Sequence, residues 1–162
     1  MIKSTFIFLF AFLLGSLATL LYAESATGSL AMPTGMGVIE EIPSPQDHIP
    51  EEDIWIYKNK VIINVDNPEW ASFSDTNSMD PVLDIGHNAI EIVPKSLDEI
   101  EVGDIVSYKS SMVDGTIIHR VIYKGVDEKG EYLIMKGDNN PNPDPERVRF
   151  DQVRRMVIGI LY

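Results

Sequence analysis

The sequence predicts a mainly β protein: an antiparallel sheet domain over residues 54–162, carried behind one N-terminal transmembrane helix. Three observations predict it. Residues 5–23 contain no charged side chain. After residue 53 the apolar residues fall into short β-rich runs separated by turn residues. The helix-like stretch in that region, Phe150 to Arg155, is short.

Taken in order, the first element is the apolar segment within residues 1–23, with Phe6-Ile7-Phe8-Leu9-Phe10-Ala11-Phe12-Leu13-Leu14 at its centre. Nineteen residues at about 1.5 Å each span roughly 29 Å, the thickness of a bilayer's hydrocarbon core. Leu21-Tyr22-Ala23 lacks the second small residue of a signal-cleavage site, so the segment reads as an uncleaved anchor. Lys3 precedes it, whereas residues 24–57 carry no Lys or Arg and seven acids. Positive-inside bias then puts the N-terminus in the cytosol and the rest of the chain outside, as a single-pass protein of the cell membrane.

Residues 24–53 hold three glycines, four prolines and all seven of those acids, a composition expected of a linker. His48 within it reads as a solvated surface residue. Strands are expected at Val61–Ile63, Ala89–Val93, Asp104–Tyr108, Thr116–Tyr123, Glu131–Met135 and Met156–Ile160. Asp114-Gly115 and Glu128-Lys129-Gly130 supply hairpin turns.

Charge and composition narrow the function. A formal net charge of −12 argues against a nucleic-acid partner, because phosphate binding needs Lys and Arg to displace counterions. The absence of cysteine removes a disulfide framework, a zinc–thiolate site and a thiol nucleophile.

Chemistry concentrates in three places. Asp75-Thr76-Asn77-Ser78-Met79-Asp80-Pro81 is polar and stiffened by its proline, so it can present the Ser78 hydroxyl in a fixed direction. His119 lies 41 residues further on, inside the apolar strand Thr116–Tyr123. Alternation puts it on one face with Ile117, Val121 and Tyr123. A partly buried imidazole suits a general base, since burial favours the neutral ring. The third place is the loop 136–145, whose carboxylates, Asp138 and Asp144, are both candidates to orient that ring. Asp138, Asn140, Asn142 and Asp144 also alternate as oxygen ligands do in a calcium loop. Pro143 and Arg149 occupy the positions where such a loop needs glycine and a bidentate glutamate. Lys95, Lys109, Lys124 and Lys136 are alternative bases if buried, and His87 is an alternative imidazole.

Four of these stretches, Ser78-Met79-Asp80-Pro81, Gly103-Asp104-Ile105-Val106, Ile118-His119-Arg120-Val121 and Lys136-Gly137-Asp138-Asn139-Asn140, resemble in order and approximate spacing the signal peptidase I family. The resemblance covers roughly residues 74–162 and is to the archaeal and endoplasmic-reticulum branch, which carries histidine where the bacterial branch has lysine. Asn77 stands where that family often has glycine. The resemblance implies a coiled antiparallel β-sheet peptidase domain with Ser78 as nucleophile, His119 as base and Asp144 as the third member, and with Asp138 in a supporting role. It implies removal of signal peptides from translocated preproteins through an acyl-enzyme, with no metal or organic cofactor. Substrates would be preprotein signal peptides in the bilayer, and membrane partner subunits are compatible with that role.

In an extended segment residues two apart point to the same side, so the Thr76 hydroxyl and the Ser78 backbone N–H are candidate oxyanion donors. Ile85, Ile92, Val93 and Ile105 are candidates to shape the substrate pockets. The rival function is a non-catalytic, membrane-tethered β module that binds a partner or calcium.

Overall fold

A computed structural model describes residues 41–162. The expected anchor and residues 24–40 of the linker lie outside the described residues. Among the described residues no helix is long and apolar enough to cross a membrane.

The described part is mainly β. Strands β1 (Ile54–Ile56) and β2 (Val61–Ile63) make a two-stranded hairpin of their own. Strands β3 (Glu69–Ser72), β4 (Asn88–Ile92), β5 (Ile105–Lys109), β6 (Thr116–Asp127), β7 (Gly130–Lys136), β8 (Arg147–Val148) and β9 (Val153–Leu161) form a seven-stranded sheet. Its order is β3-β4-β9-β5-β6-β7-β8, and every pairing is antiparallel. All six expected strands are present, Val61–Ile63 with the expected ends and the other five shifted at one or both ends. The short β1, β3 and β8 were not expected. Glu69-Trp70-Ala71-Ser72 has no apolar alternation, and it is a strand because it pairs with β4, Trp70 opposite Ile90.

Two expectations fail for tertiary reasons. The helix expected from Phe150 to Arg155 is a single 3-10 turn, Phe150–Gln152, and Val153 already begins β9. This strand lies between β4 and β5 and pairs with both, so ladder bonding on two edges outweighs local preference. Tyr123 does not share the buried face of His119. The register shifts between Val121, opposite Met135, and Tyr123, opposite Ile134, which makes Ile122 a bulge residue. Tyr123 is therefore exposed.

Strand β5 is buried from Ile105 to Tyr108, with both its faces covered. Val106 and Tyr108 pack with Val121, Leu133, Met135, Val148 and Met156 on one face. Ile105 packs with Met79, Leu83, Ala89 and Val157 on the other. Met79 and Leu83 come from the tight turn after Ser78, closed by the Val82 and Leu83 N–H groups donating to Met79 O. Burying such a side chain contributes about 1.5–3 kcal/mol, so Met79 anchors the serine segment to the core.

Residues 43–48, within the expected linker, lie against the sheet domain. Asp104 is fully buried. Its Oδ1 accepts from the Gln46 N–H (3.0 Å) and bonds His48 Nε2 (2.9 Å), and its Oδ2 accepts from the Glu101 N–H (2.8 Å). The His48 side chain is 15% exposed, so it is an anchoring group and not the solvated residue expected from composition. Gly103 makes the close approach feasible: its φ is +109°, and a Cβ there would lie 1.9 Å from the Ser44 carbonyl oxygen. Gly103→Ala is expected to cost about 1–3 kcal/mol from backbone strain alone and to release residues 43–48. Urea denaturation of the full chain in detergent, read by tryptophan fluorescence, would show a lower midpoint.

Candidate active site

Ser78 and His119 line one cleft of about 500 Å³. Its walls are the segment Ala71–Ser74 with Thr76, Ser78, Met79 and Leu83 on one side, and Thr116–His119 of β6 on the other. Glu91, Ser107 and Arg155 contribute to it from β4, β5 and β9. The candidate pocket residues Ile85, Ile92, Val93 and Ile105 do not line it. Ile85 and Val93 are largely exposed, and Ile105 is sealed in the core. The unanticipated pairing of β3 with β4 is what moved the wall to residues 71–74.

The serine segment is fixed from two sides. Asn77 has φ +55°, in the left-handed region that asparagine and glycine tolerate best, which accounts for the residue type at this position. The Asn139 N–H donates to Ser78 O (3.0 Å), and Asn139 Nδ2 donates to Asn77 O (2.9 Å). A Cβ on Gly137 would come within 2.5 Å of Ser78 O, so this loop sits against the serine backbone only because residue 137 has no side chain. The Thr76 and Ser78 hydroxyls are on the same side and 3.3 Å apart. That bond is the one Ser78 Oγ makes here. Such bonds in an unliganded site often realign when substrate binds.

The two candidate carboxylates separate cleanly. Asp144 Oδ2 lies 2.7 Å from His119 Nδ1. A carboxylate only accepts, so Nδ1 carries the proton and Nε2 is left as the basic nitrogen. The Tyr108 phenol donates to the same Oδ2 at 2.8 Å. Backbone bonding fixes Asp144, whose N–H donates to Met135 O (2.7 Å). Asp138 instead takes the guanidinium of Arg120 in a two-pronged pair, Nε to Oδ1 at 2.7 Å and Nη2 to Oδ2 at 2.6 Å. Arg120 Nη1 also donates to Gly103 O (2.7 Å) and Pro43 O (3.1 Å). Both carboxylates of the calcium-like loop are therefore engaged by protein groups. Among the described residues no cluster of His, Asp and Glu could hold a metal ion.

The remaining alternative bases lie elsewhere. No lysine lines the cleft. Lys124 is bonded to Leu97 O, Ile100 O and Glu101. His87 Nδ1 accepts from the Asp84 N–H in a turn, edge-on to Tyr162.

Tyr108, Glu91 and Arg155 were not apparent from the sequence. Burial first, and then the bond to Asp144, pushes the Tyr108 phenol well above the usual tyrosine range. Burial likewise raises Glu91, against the opposing pull of Arg155. Arg155 is ion-paired to Glu69. Strand pairing brings these groups together, and their sequence spacing carries no signal of it.

No family model matches the chain. It is 34% identical over 87 residues to the signal peptidase complex catalytic subunit SEC11 of Colletotrichum graminicola, covering 52% of this chain and 51% of that protein. The catalytic subunit of a signal peptidase complex thus resembles half of this chain. It is also 48% identical over 44 residues to an uncharacterised protein of Methanocaldococcus jannaschii, covering 27% of this chain and 22% of that one. The chain spans about half the length, or less, of these curated relatives. No solved structure matches.

The Arg120 and Asp138 side chains are 5% and 2% exposed, so removing one leaves the other charged and buried. Arg120→Met is expected to destabilise the fold by about 3–5 kcal/mol, and the double variant Arg120→Met/Asp138→Leu by clearly less. Denaturation midpoints of the two variants check this.

Proposed function

We propose that the protein is a serine endopeptidase of signal peptidase type that removes signal peptides from translocated preproteins. The observation that carries the reading is the bond between His119 Nδ1 and Asp144 Oδ2 beside the cleft that Ser78 lines. The partial similarity to SEC11 supports it independently.

In this reading His119 Nε2 accepts the Ser78 proton while Oγ attacks the scissile carbonyl carbon of an extended peptide in the cleft. Asp144 keeps the proton on Nδ1 and stabilises the imidazolium that forms. The tetrahedral oxyanion is held by the Ser78 backbone N–H, with the Thr76 hydroxyl turning from Ser78 Oγ to join it. Collapse breaks the C–N bond, and the imidazolium gives its proton to the leaving amine. Water, deprotonated by the same imidazole, then attacks the acyl-enzyme ester and releases the signal peptide's new carboxylate. Asp138 acts through Arg120 and the loop that braces Ser78. The segment of residues 5–23 serves as the anchor, with the N-terminus in the cytosol and the sheet domain outside, where a translocated cleavage site emerges.

The test is cleavage of a radiolabelled preprotein by membranes containing the full chain. Ser78→Ala and His119→Ala should each lower the rate by on the order of 10⁶-fold, and Asp144→Asn by a smaller factor, about 10⁴-fold. Thr76→Val should cost about a hundredfold, the usual effect of losing one oxyanion donor. Undiminished cleavage by Ser78→Ala would sink the assignment. If the wild-type chain cleaves nothing and ignores a serine-directed covalent inhibitor, a binding module is the better account.

A further inference from the structure

Asp144 Oδ2 is shared. It accepts from His119 Nδ1 at 2.7 Å and from Tyr108 Oη at 2.8 Å. The sharing follows from strand register. On β5, Val106 lies opposite His119 and Tyr108 opposite Ile117, so the tyrosine is the diagonal neighbour of the histidine on the same sheet face. Asp144 meets both from the loop after β7. The tyrosine is fully buried although its ring ends in a polar group, and Asp144 is the hydroxyl's one hydrogen-bond partner.

We infer that Tyr108 is a positioning residue that sets the basicity and orientation of the His119 imidazole through Asp144. The inference rests on the reading of His119 as general base. A second donor on Oδ2 disperses the carboxylate's charge and makes it a weaker acceptor for Nδ1–H. It also restricts rotation of the carboxylate, since the shared oxygen must satisfy two donors in fixed directions. The phenol remains protonated through any working pH because burial and its acidic neighbours, Asp144 and Glu146, oppose its ionisation. Tyr108 is therefore a permanent donor to this carboxylate.

The groups able to influence the imidazole come from several elements. Asp144 and Tyr108 are joined by the hydroxyls of Thr76 and Ser78 and, in the same cleft, by Glu91 and Arg155. Arg120 is adjacent in sequence but lies on the opposite face of β6, held by Asp138. Among these, Tyr108 is the group that contacts the His119 partner directly and carries no charge.

Removing the hydroxyl should strengthen the attraction of Asp144 for a protonated imidazole. His119 would then keep its second proton to higher pH, and less neutral base would be present at neutrality. The test is a pH titration of the histidine ring resonances by NMR, on the full chain in detergent, with His119→Gln used for assignment. In Tyr108→Phe the His119 midpoint should move up by about one pH unit, a tenfold change in proton affinity. The His48 and His87 midpoints should stay in place. Preprotein cleavage should fall by up to about tenfold on the acidic limb of kcat/KM and recover at higher pH.

3-Fluorotyrosine at position 108 preserves the ring and hydroxyl if the phenylalanine variant fails to fold. Its stronger donor should move the midpoint down. An unmoved His119 midpoint in the folded variants overturns the inference, whatever happens to activity. A moved midpoint, where the wild-type chain cleaves no preprotein and ignores a serine-directed covalent inhibitor, upholds the contact and instead defeats the peptidase reading.

Discussion

The buried guanidinium of Arg120 is the constraint on which the rest of the site depends. Its charge is taken out of water, and the protein compensates with a two-pronged carboxylate and two backbone carbonyls. Each partner belongs to a different part of the domain. Asp138 is on the loop after β7, Gly103 is on the turn before β5, and Pro43 is on the segment that leads into the sheet. Satisfying one cation thus fixes three backbone segments at once. The loop that carries Asp138 is the loop whose Asn139 braces Ser78, so the ion pair acts on the Ser78 segment without touching it.

Consecutive positions on a strand explain the division of roles. His119 and Arg120 point to opposite faces of β6, and each meets a carboxylate from the same loop. The five residues between Asp138 and Asp144 carry that loop across the strand, beyond the point where β7 stops pairing at Lys136 opposite Arg120. One carboxylate secures the structure, and the other lies against the imidazole. The alternating Asp and Asn side chains of this loop resemble calcium ligands in the sequence, and its prolines do not. In the structure it is the turn chemistry that lets a short loop straddle a strand edge.

The cleft itself is mixed in character. Met79, Leu83 and Ile118 give it apolar walls, while Glu91 and Arg155 bring charge into it from neighbouring strands. Arg155 is tied to Glu69, so the ionic groups bridge β9 and β3 across the intervening β4. This charged row sits beside the expected catalytic groups and distinguishes the cleft from a purely hydrophobic groove.

Much of this protein was readable in one dimension. The six principal strands follow from β-branched and aromatic runs between turn residues, because a pleated, half-buried surface selects those side chains locally. Ser78 and His119 stood out for the same reason: a hydroxyl in a proline-stiffened turn and a lone imidazole in an apolar strand conflict with their surroundings. Residue chemistry alone nominates Asp138 and Asp144 without telling them apart, and only the family resemblance assigns them different roles, since their separation depends on which face of β6 each reaches. In the sequence Tyr108 is only the end of an expected strand, and His48 reads as a solvated linker residue. Their partners, 36 and 56 residues away, are brought to them only by pairing and docking. The helix expected from Phe150 to Arg155 is cut to one 3-10 turn because β9, bonded on both edges, begins at Val153. Local chemistry chose the residues, whereas long-range hydrogen bonding and burial chose their partners.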